Sequence, residues 1–160
     1  MGTETLKFKI ELYATMWDKP PHVEILLNDK THWDGDITGT EDKPDLIEFE
    51  HTLDEGKTYS LRINRSGKST RQTVVNEKGD ILKDQLLHIK NIEIDEIDIG
   101  ALVYEGVYTP RYPEPWATQQ KENGVELKES FKNVTKIGHN GTWQFTLVSP
   151  FYMWLLENLY

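Results

Sequence analysis

Carboxylates at regular spacing between residues 34 and 45 are the clearest group in the sequence that could hold a metal ion. The segment reads DGDITGTEDKPD, and counting Asp34 as position 1 puts Asp36 at position 3 and Asp45 at position 12. Thr38 then falls at position 5 and Gly39 at position 6, an order typical of a calcium-binding loop. We predict Asp34, Asp36, Thr38 and Asp45 as candidate calcium ligands, because each has a side-chain oxygen. The alternative is a solvated acidic turn, since the flanking segments alternate like strands instead of forming helices.

A second candidate chemistry is the stacking of aromatic rings on sugars. Tyr108, Tyr112 and Trp116 lie four residues apart in the segment VYTPRYPEPWATQQKENG. The three prolines of this segment remove backbone donors and predict a surface loop in place of a helix or central strand. Aromatic rings beside the amides of Gln119 and Gln120 suit a saccharide site. The alternative is that the rings attach the loop to the rest of the domain.

The apolar end of the chain, SPFYMWLLENLY, could bury surface against another subunit. Ser149 resembles an N-cap with Pro150 at the first helical position, so the residues that follow are predicted to form a short helix. This helix is apolar on nearly every side, which implies burial on more than one face. It either fills a cleft beside its own domain or docks on a neighbour. The predicted interface residues are Phe151, Tyr152, Trp154, Leu155, Leu159 and Tyr160.

Other chemistries have little support in the sequence. The five histidines are scattered, none at zinc-ligand spacing and none within a nucleophile motif, so we predict no catalytic residues and no enzyme. With 27 acidic and 18 basic residues the formal net charge is −9, which disfavours nucleic-acid binding. The longest apolar run is far shorter than the roughly 20 residues that span a bilayer. Cysteine is absent, which excludes disulfides and thiolate zinc sites.

The elements that would position these residues are predicted to be β-strands. Leu6, Phe8, Ile10 and Leu12 alternate with polar residues, and similar short runs recur as far as LLHIKNIEIDEIDIG before residue 100. Turn residues, without any helical period, separate these runs. The pattern predicts an all-β fold in which residues 1–100 form an antiparallel, jelly-roll-like β-sandwich.

Residues 101–160 are predicted to be an extension that packs on the sandwich or on a partner. It would comprise the proline-rich loop, a C-terminal hairpin and the short terminal helix. In KNVTKIGHNGTWQFTLV, Asn140-Gly141 suits a tight type I′ turn, with Val134 and Ile137 before it and Trp143 after it.

The stretch from Leu6 to Ile99 resembles the calcium-dependent, xylan-binding type of carbohydrate-binding module. The resemblance is clearest in KDQLLHIKNIEIDEI at 83–97, which is similar to the final strand of that family. Asp84 matches the aspartate that leads this strand, whereas Lys90 stands where a second aspartate is expected. The resemblance implies a β-sandwich fold and marks Asp84 as a candidate glycan-binding residue. Because Lys90 replaces an acidic ligand, we predict no cofactor, with calcium as the alternative. Tyr108, Tyr112 and Trp116 lie outside the resembling stretch and are candidates for glycan contact from their residue types alone.

The remaining segment, from PEPWATQQ to the end of the chain, resembles the tails of virion proteins of tailed bacteriophages, especially marine and cyanophage-like ones. GHNGTW and SPFYMWLLENL carry this resemblance. It implies a structural role in the capsid, collar, tail or baseplate, with other virion proteins or further copies of the chain as partners. The amino-terminal segment has no apolar stretch of signal-peptide length, so we expect synthesis in the host cytoplasm and final location in the virion.

Two functions therefore stay open from the sequence. The first is a non-enzymatic subunit of a phage particle that displays a β-sandwich and assembles through its apolar terminus. The second is a lectin-like module that recognises host-surface glycans through its loop aromatics.

Overall fold

A computed structural model describes residues 2–68, 74–78 and 80–159, with side chains for all of these except Ala101 and Leu159. Its strands form two large antiparallel sheets around one apolar core, together with a two-stranded ribbon. The predicted antiparallel β-sandwich is therefore confirmed. The elements are β1 (Thr3–Thr15), β2 (His22–Leu27), β3 (Lys30–Asp36), β4 (Asp45–Asp54), β5 (Thr58–Ser66), β6 (Val74–Val75), β7 (Ile81–Lys83), β8 (Leu86–Ile94), β9 (Ile97–Asp98), a 3₁₀ helix (Gly100–Glu105), β10 (Val107–Pro110), α1 (Trp116–Glu122), β11 (Phe131–Lys132), β12 (Lys136–Ile137), β13 (Gly141–Val148) and α2 (Phe151–Leu159).

The first sheet has the strand order β12, β8, β1, β4, with β9 paired to β8. Strand β1 lies inside this sheet, hydrogen-bonded to β4 on one side and to β8 on the other. Successive side chains of a strand point to opposite faces, so every second residue of β1 enters the core. The four predicted core residues of this strand are all buried, namely Leu6, Phe8, Ile10 and Leu12.

The second sheet has the order β11, β10, β13, β5, β2, β3. Strand β13 lies between β5 and β10, and its Trp143, Phe145 and Leu147 point into the core. Residues after 100 therefore supply three of the six strands of this sheet. The sheets do not divide at residue 100, because β5 pairs on one side with β2 and on the other with β13, which lies beyond that residue.

The predicted hairpin around Asn140-Gly141 is not formed, and this prediction was wrong. Strand β12 pairs with β8 in the first sheet, whereas β13 pairs with β5 and β10 in the second. A type I′ turn needs positive φ at both central residues, and neither Asn140 nor Gly141 has it. Gly141 instead allows the backbones of β13 and β10 to approach closely. A Cβ at this position would lie 2.4 Å from the carbonyl oxygen of Thr109.

The terminal helix is present as predicted, but its amino-terminal cap comes from elsewhere in the chain. Glu4 of β1 accepts hydrogen bonds from the hydroxyl of Ser149 and from the backbone N–H of Phe151, the latter at 2.8 Å. A carboxylate at this position also interacts favourably with the positive end of the helix dipole. In the described part of the chain, no helix is long and apolar enough to cross a membrane.

Candidate functional site

Three aromatic side chains meet at the surface near the start of β13. The rings of Tyr112 and Trp116 are 6.0 Å apart, and His139 lies 5.2 Å from the first and 5.6 Å from the second. All three side chains are half-buried. We call these three residues the ring cluster. Two of them were predicted from the sequence, whereas His139 had been counted only among the scattered histidines.

Helix α1 positions the indole of Trp116. The sequence predicted a loop here, but the helix begins directly after Pro115, because the first N–H groups of a helix need no intrahelical partner and prolines are tolerated there. Ala117 is buried and its N–H donates to the carbonyl oxygen of Pro113 at 2.8 Å, which fixes the start of the helix. The hydroxyl of Tyr112 donates to the carbonyl oxygen of Lys128 at 2.7 Å.

Tyr108 is a core residue, which corrects its assignment to glycan contact. Its side chain is 4 % exposed, since β10 turns it inward, and burial raises the pKa of its hydroxyl to about 12. That hydroxyl donates to the carbonyl oxygen of His139 at 2.7 Å and accepts from the N–H of the same residue at 3.1 Å. Tyr108 therefore holds the backbone that carries one member of the ring cluster.

Asp84 also lies beneath the surface, where it binds an ammonium group. Its carboxylate is 2.6 Å from Nζ of Lys68, and the two side chains are 17 % and 9 % exposed. The same Nζ donates to the carbonyl oxygen of Gly138. The side chain of Asn140 accepts from the N–H of Lys68 at 3.0 Å and donates to its carbonyl oxygen at 2.9 Å. Asp84 thus supports the 138–140 segment and does not line the surface.

A buried arginine completes this support, and sequence reasoning did not single it out. Arg65 is fully buried at the end of β5 and donates to the carbonyl oxygen of Ile137 and to both the backbone and side-chain oxygens of Gln85, each of the latter at 2.7 Å. Burial lowers the pKa of its guanidinium to about 10, so the group stays charged at neutral pH. No local pattern marks Arg65, because its neighbours alternate like those of any strand.

The electrostatic setting of the ring cluster keeps the imidazole of His139 neutral. Burial, followed by the nearby ammonium of Lys68, lowers the pKa of His139. A neutral imidazole beside an indole and a phenol forms an aromatic surface without a formal charge. Gln119 and Gln120 lie on α1, the first exposed and the second half-buried, so amides are present on the same helix as Trp116.

The predicted calcium loop is not formed. Asp34 and Asp36 lie on strand β3, where their carboxylates contact the two ring nitrogens of His22 at 2.5 and 2.9 Å. Asp45 accepts hydrogen bonds from the N–H groups of Thr38 at 2.9 Å and Gly39 at 3.3 Å. Asp34, Asp36 and Asp45 are not among any group of described side chains placed to share a metal ion, so the four predicted ligands do not fit a common cation.

The strand identified through the family resemblance does not fit calcium either. Asp84 is bound to the ammonium of Lys68, and Lys90, in the place of the second aspartate, donates to the carbonyl oxygen of Glu41 at 2.7 Å. Across residues 2–68, 74–78 and 80–159, no three histidine, aspartate or glutamate side chains are placed so that they could hold a metal ion.

The terminal helix has a buried face, a half-buried face and an exposed face. Phe151 and Leu155, one turn apart, are buried against the sandwich, and Trp154 is half-buried with its ring edge-on to Phe145 at 5.7 Å. This part of the helix therefore packs against its own domain, which is the first of the two alternatives predicted from the sequence. The side chain of Leu159 and all of Tyr160 lie outside the described residues.

The third face of α2 is exposed and apolar. Tyr152 is 46 % exposed, and Met153 and Leu156 are each 62 % exposed. The hydroxyl of Tyr152 donates to the carboxylate of Asp95, while the two aliphatic side chains face solvent. Of the predicted interface residues, Phe151 and Leu155 are therefore used inside the subunit, since burial in the core leaves them no surface for a neighbour.

Comparison with solved structures finds two chains of vCBM60 with a similar fold. One is vCBM60 in complex with galactobiose, with a TM-score of 0.47 and 11 % identity over 87 % of this chain and 96 % of that chain. The other is the selenomethionine form of vCBM60, from work on calcium-dependent carbohydrate binding modules linked by circular permutation, with a TM-score of 0.49 and 11 % identity over 88 % and 89 % of the two chains. No protein-family profile and no curated protein matches the sequence.

Proposed function

We propose that this chain is a carbohydrate-binding β-sandwich whose ligand stacks on the ring cluster. The observation that carries the proposal is the meeting of Tyr112, Trp116 and His139 at the surface, with centroids 5.2 to 6.0 Å apart. Aromatic side chains present a flat, polarisable face to the apolar C–H face of a pyranose, and their polar edges suit its hydroxyls. The exposed Gln119, three residues after Trp116 on α1, supplies an amide on the same helix.

The ring cluster is also held in place before any ligand arrives. The side chains of Tyr108 and Lys68 bind the backbone of the 138–140 segment, and the side chain of Asn140 binds the backbone of Lys68. The hydroxyl of Tyr112 is bound to the chain before β11. A surface that is already ordered loses less conformational entropy when a ligand binds. The net charge of −9 favours a neutral saccharide over an acidic one.

The test is a Trp116→Ala variant screened against a glycan array, with calorimetry on each hit. Loss of one stacking ring is expected to weaken binding by about tenfold or more. Tyr152→Ala is the matched control, since Tyr152 is an exposed aromatic on α2, beyond the opposite end of β13. Equal affinities of Trp116→Ala and wild type, or no binding by the wild-type chain across the array, would overturn the proposal.

A second candidate function is assembly through α2. The exposed Tyr152, Met153 and Leu156 favour it, because apolar and aromatic side chains of this kind are enriched at the centres of protein interfaces. A virion as the place of assembly stays a prediction from the sequence resemblance. The test is to measure the mass of the purified chain in solution at two concentrations. A monomer at both concentrations would count against self-association through this face.

A further inference from the structure

A second cleft lies at the other end of β10, away from the ring cluster. Its volume is about 420 Å³, and it is bounded by the 3₁₀ helix, β10, β13 and α2. This volume falls within the range of small-molecule sites. The residues that line the cleft include Glu105, Gln144, Phe145, Thr146, Trp154 and Asn158.

The cleft exists because β10 covers only part of β13. The two strands pair from Pro110 opposite Gly141 to Val107 opposite Gln144, and the remaining residues of β13 extend beyond that pairing. Helix α2 returns along this uncovered part and places Trp154 beside it. The groove between the strand edge and the helix is the cleft.

The indole of Trp154 forms a fixed wall of this cleft. It contacts Phe145 edge-on at 5.7 Å and Phe151 at 6.2 Å, so two core rings hold its orientation. Asn158, one turn further along α2, donates from its amide to the carbonyl oxygen of Trp154 at 2.7 Å. On the strand side, the amide oxygen of Gln144 accepts from Nε of Arg62 at 3.0 Å, which fixes the direction of that amide.

The chemistry of the lining is that of a sugar site. One wall is formed by Trp154, and the polar residues that line the cleft are Gln144 and Thr146 at the edge of β13, Asn158 on α2, and Glu105. No lysine or arginine is among the described lining residues, and Glu105 is the charged residue among them, which disfavours a phosphate or an acidic sugar. Hydroxyl groups, in contrast, can donate to the carboxylate and exchange hydrogen bonds with amides.

We propose that this cleft is a second saccharide-binding site, which takes a neutral sugar stacked on Trp154. It is separate from the ring cluster, since the Gly141 end of β13 leads to His139 and the Phe145–Thr146 part borders the cleft. The four or five residues of strand between them correspond to roughly 15 Å. A chain with two such sites binds a repeating polysaccharide more tightly than either site alone.

The test uses the indole N–H signals of the full-length, ¹⁵N-labelled chain, which has five tryptophans. Trp154→Phe and Trp116→Phe assign the two signals of interest, and the buried Trp143 serves as an internal reference. Neutral xylo-, gluco-, galacto- and manno-oligosaccharides are then added in turn. We expect the Trp154 signal to shift saturably with at least one of them and to do so equally in a Trp116→Ala chain.

Matched variants identify the side chains that bind the sugar. Glu105→Gln and Asn158→Leu should each weaken the Trp154 response by about tenfold, as expected for loss of one or two hydrogen bonds to a ligand. Leu156→Ala, on the exposed face of the same helix, should leave it unchanged. Because Glu105 and Asn158 are exposed, these changes spare the core packing of α2.

Three results would overturn the second site. The Trp154 signal could stay unmoved by every oligosaccharide, or its shift could disappear in Trp116→Ala, which would mean a single site. It could instead move with protein concentration alone and respond to Leu156→Ala, which would assign the face to self-association. An unmoved Trp116 signal with a shifted Trp154 signal would reject the ring cluster and leave this second site standing.

Discussion

Lys68 occupies an unusual position for an ammonium group, because its side chain is only 9 % exposed. Burial lowers its pKa, and the hydrogen bond and charge of Asp84 partly offset that effect. The same ammonium binds the carbonyl oxygen of Gly138, one residue before His139. A single charged group thus connects a core aspartate with the backbone of the ring cluster.

Replacing this ammonium is expected to destabilise the whole domain. Lys68→Met removes the ammonium that binds both the carboxylate of Asp84 and the carbonyl oxygen of Gly138, which should lower the free energy of unfolding by about 3 kcal/mol. Lys57→Met is the matched control, since the Lys57–Asp54 pair at 3.2 Å is more than half exposed on both sides and should contribute at most about 1 kcal/mol. Chemical denaturation measures both, and equal losses would contradict the structural role of Lys68.

A pH-dependent contribution to stability is expected from His22. Its hydrogen bond to Asp36, followed by the bond and charge of Asp34, raises the pKa of the imidazole despite an opposing effect of burial. A raised pKa means that the folded state holds the proton more tightly, so this contribution is complete below the unfolded pKa of about 6.5 and disappears as pH rises through the folded pKa.

The measurement compares wild type with His22→Gln. The difference between their free energies of unfolding should be larger at about pH 5.5 than at about pH 8.5. Taking the difference removes the effect of the other histidines, several of which have lowered pKa values and oppose this trend. A difference that is constant with pH would show that the two aspartates do not bind a protonated His22.

At the scale of elements, α2 combines packing and exposure on one short helix. Phe151 and Leu155 lie in the core, Trp154 borders the second cleft, and Met153 and Leu156 face solvent. Removing the whole helix would therefore expose core as well as interface, so deletion cannot separate the two roles. Substitutions on the exposed face can.

A Met153→Glu, Leu156→Glu double variant should leave the fold intact and abolish any self-association by this helix. Both side chains are 62 % exposed, so the change in the free energy of unfolding should stay within about 0.5 kcal/mol. Size-exclusion chromatography with light scattering measures the mass. As a control, Phe151→Ala should cost about 3 to 5 kcal/mol, because it opens a cavity in the core. An oligomer that survives the double variant must use another surface.

At the scale of the whole molecule, the described carboxylates that were expected to bind calcium are already used by the protein. Asp34 and Asp36 bind His22, Asp45 binds backbone N–H groups, and Asp84 binds Lys68. A ligand that binds only the folded state raises stability in proportion to the logarithm of its concentration. The folded domain is therefore expected to gain nothing from calcium.

The melting temperature is expected to be the same in EDTA and in about 1 mM calcium, a concentration that occupies even weak extracellular calcium sites. Differential scanning calorimetry provides the measurement, with magnesium at the same concentration as a control for ionic strength. A melting temperature raised by calcium but not by magnesium would reveal a site that the described residues do not form.

The strand pattern was readable from the sequence because it is local. Leu6, Phe8, Ile10 and Leu12 alternate with polar neighbours, and a strand turns alternate side chains to one face whatever its partner. The helical start after Ser149 and Pro150 was readable for the same reason. The sequence indicated the aromatic residues of 108–116 as a group, but it did not predict which of them is buried and which lie at the surface.

Only the tertiary structure decided which of these residues meet. Tyr108 and Tyr112 look alike in the sequence, yet β10 buries the first and the loop beyond it leaves the second at the surface. Asp84 binds an ammonium sixteen residues away, and β13 pairs with β5 and β10 instead of the adjacent β12. Local sequence determines which face of a strand is apolar, whereas pairing depends on contacts between segments distant along the chain, which a single sequence does not encode in any local pattern.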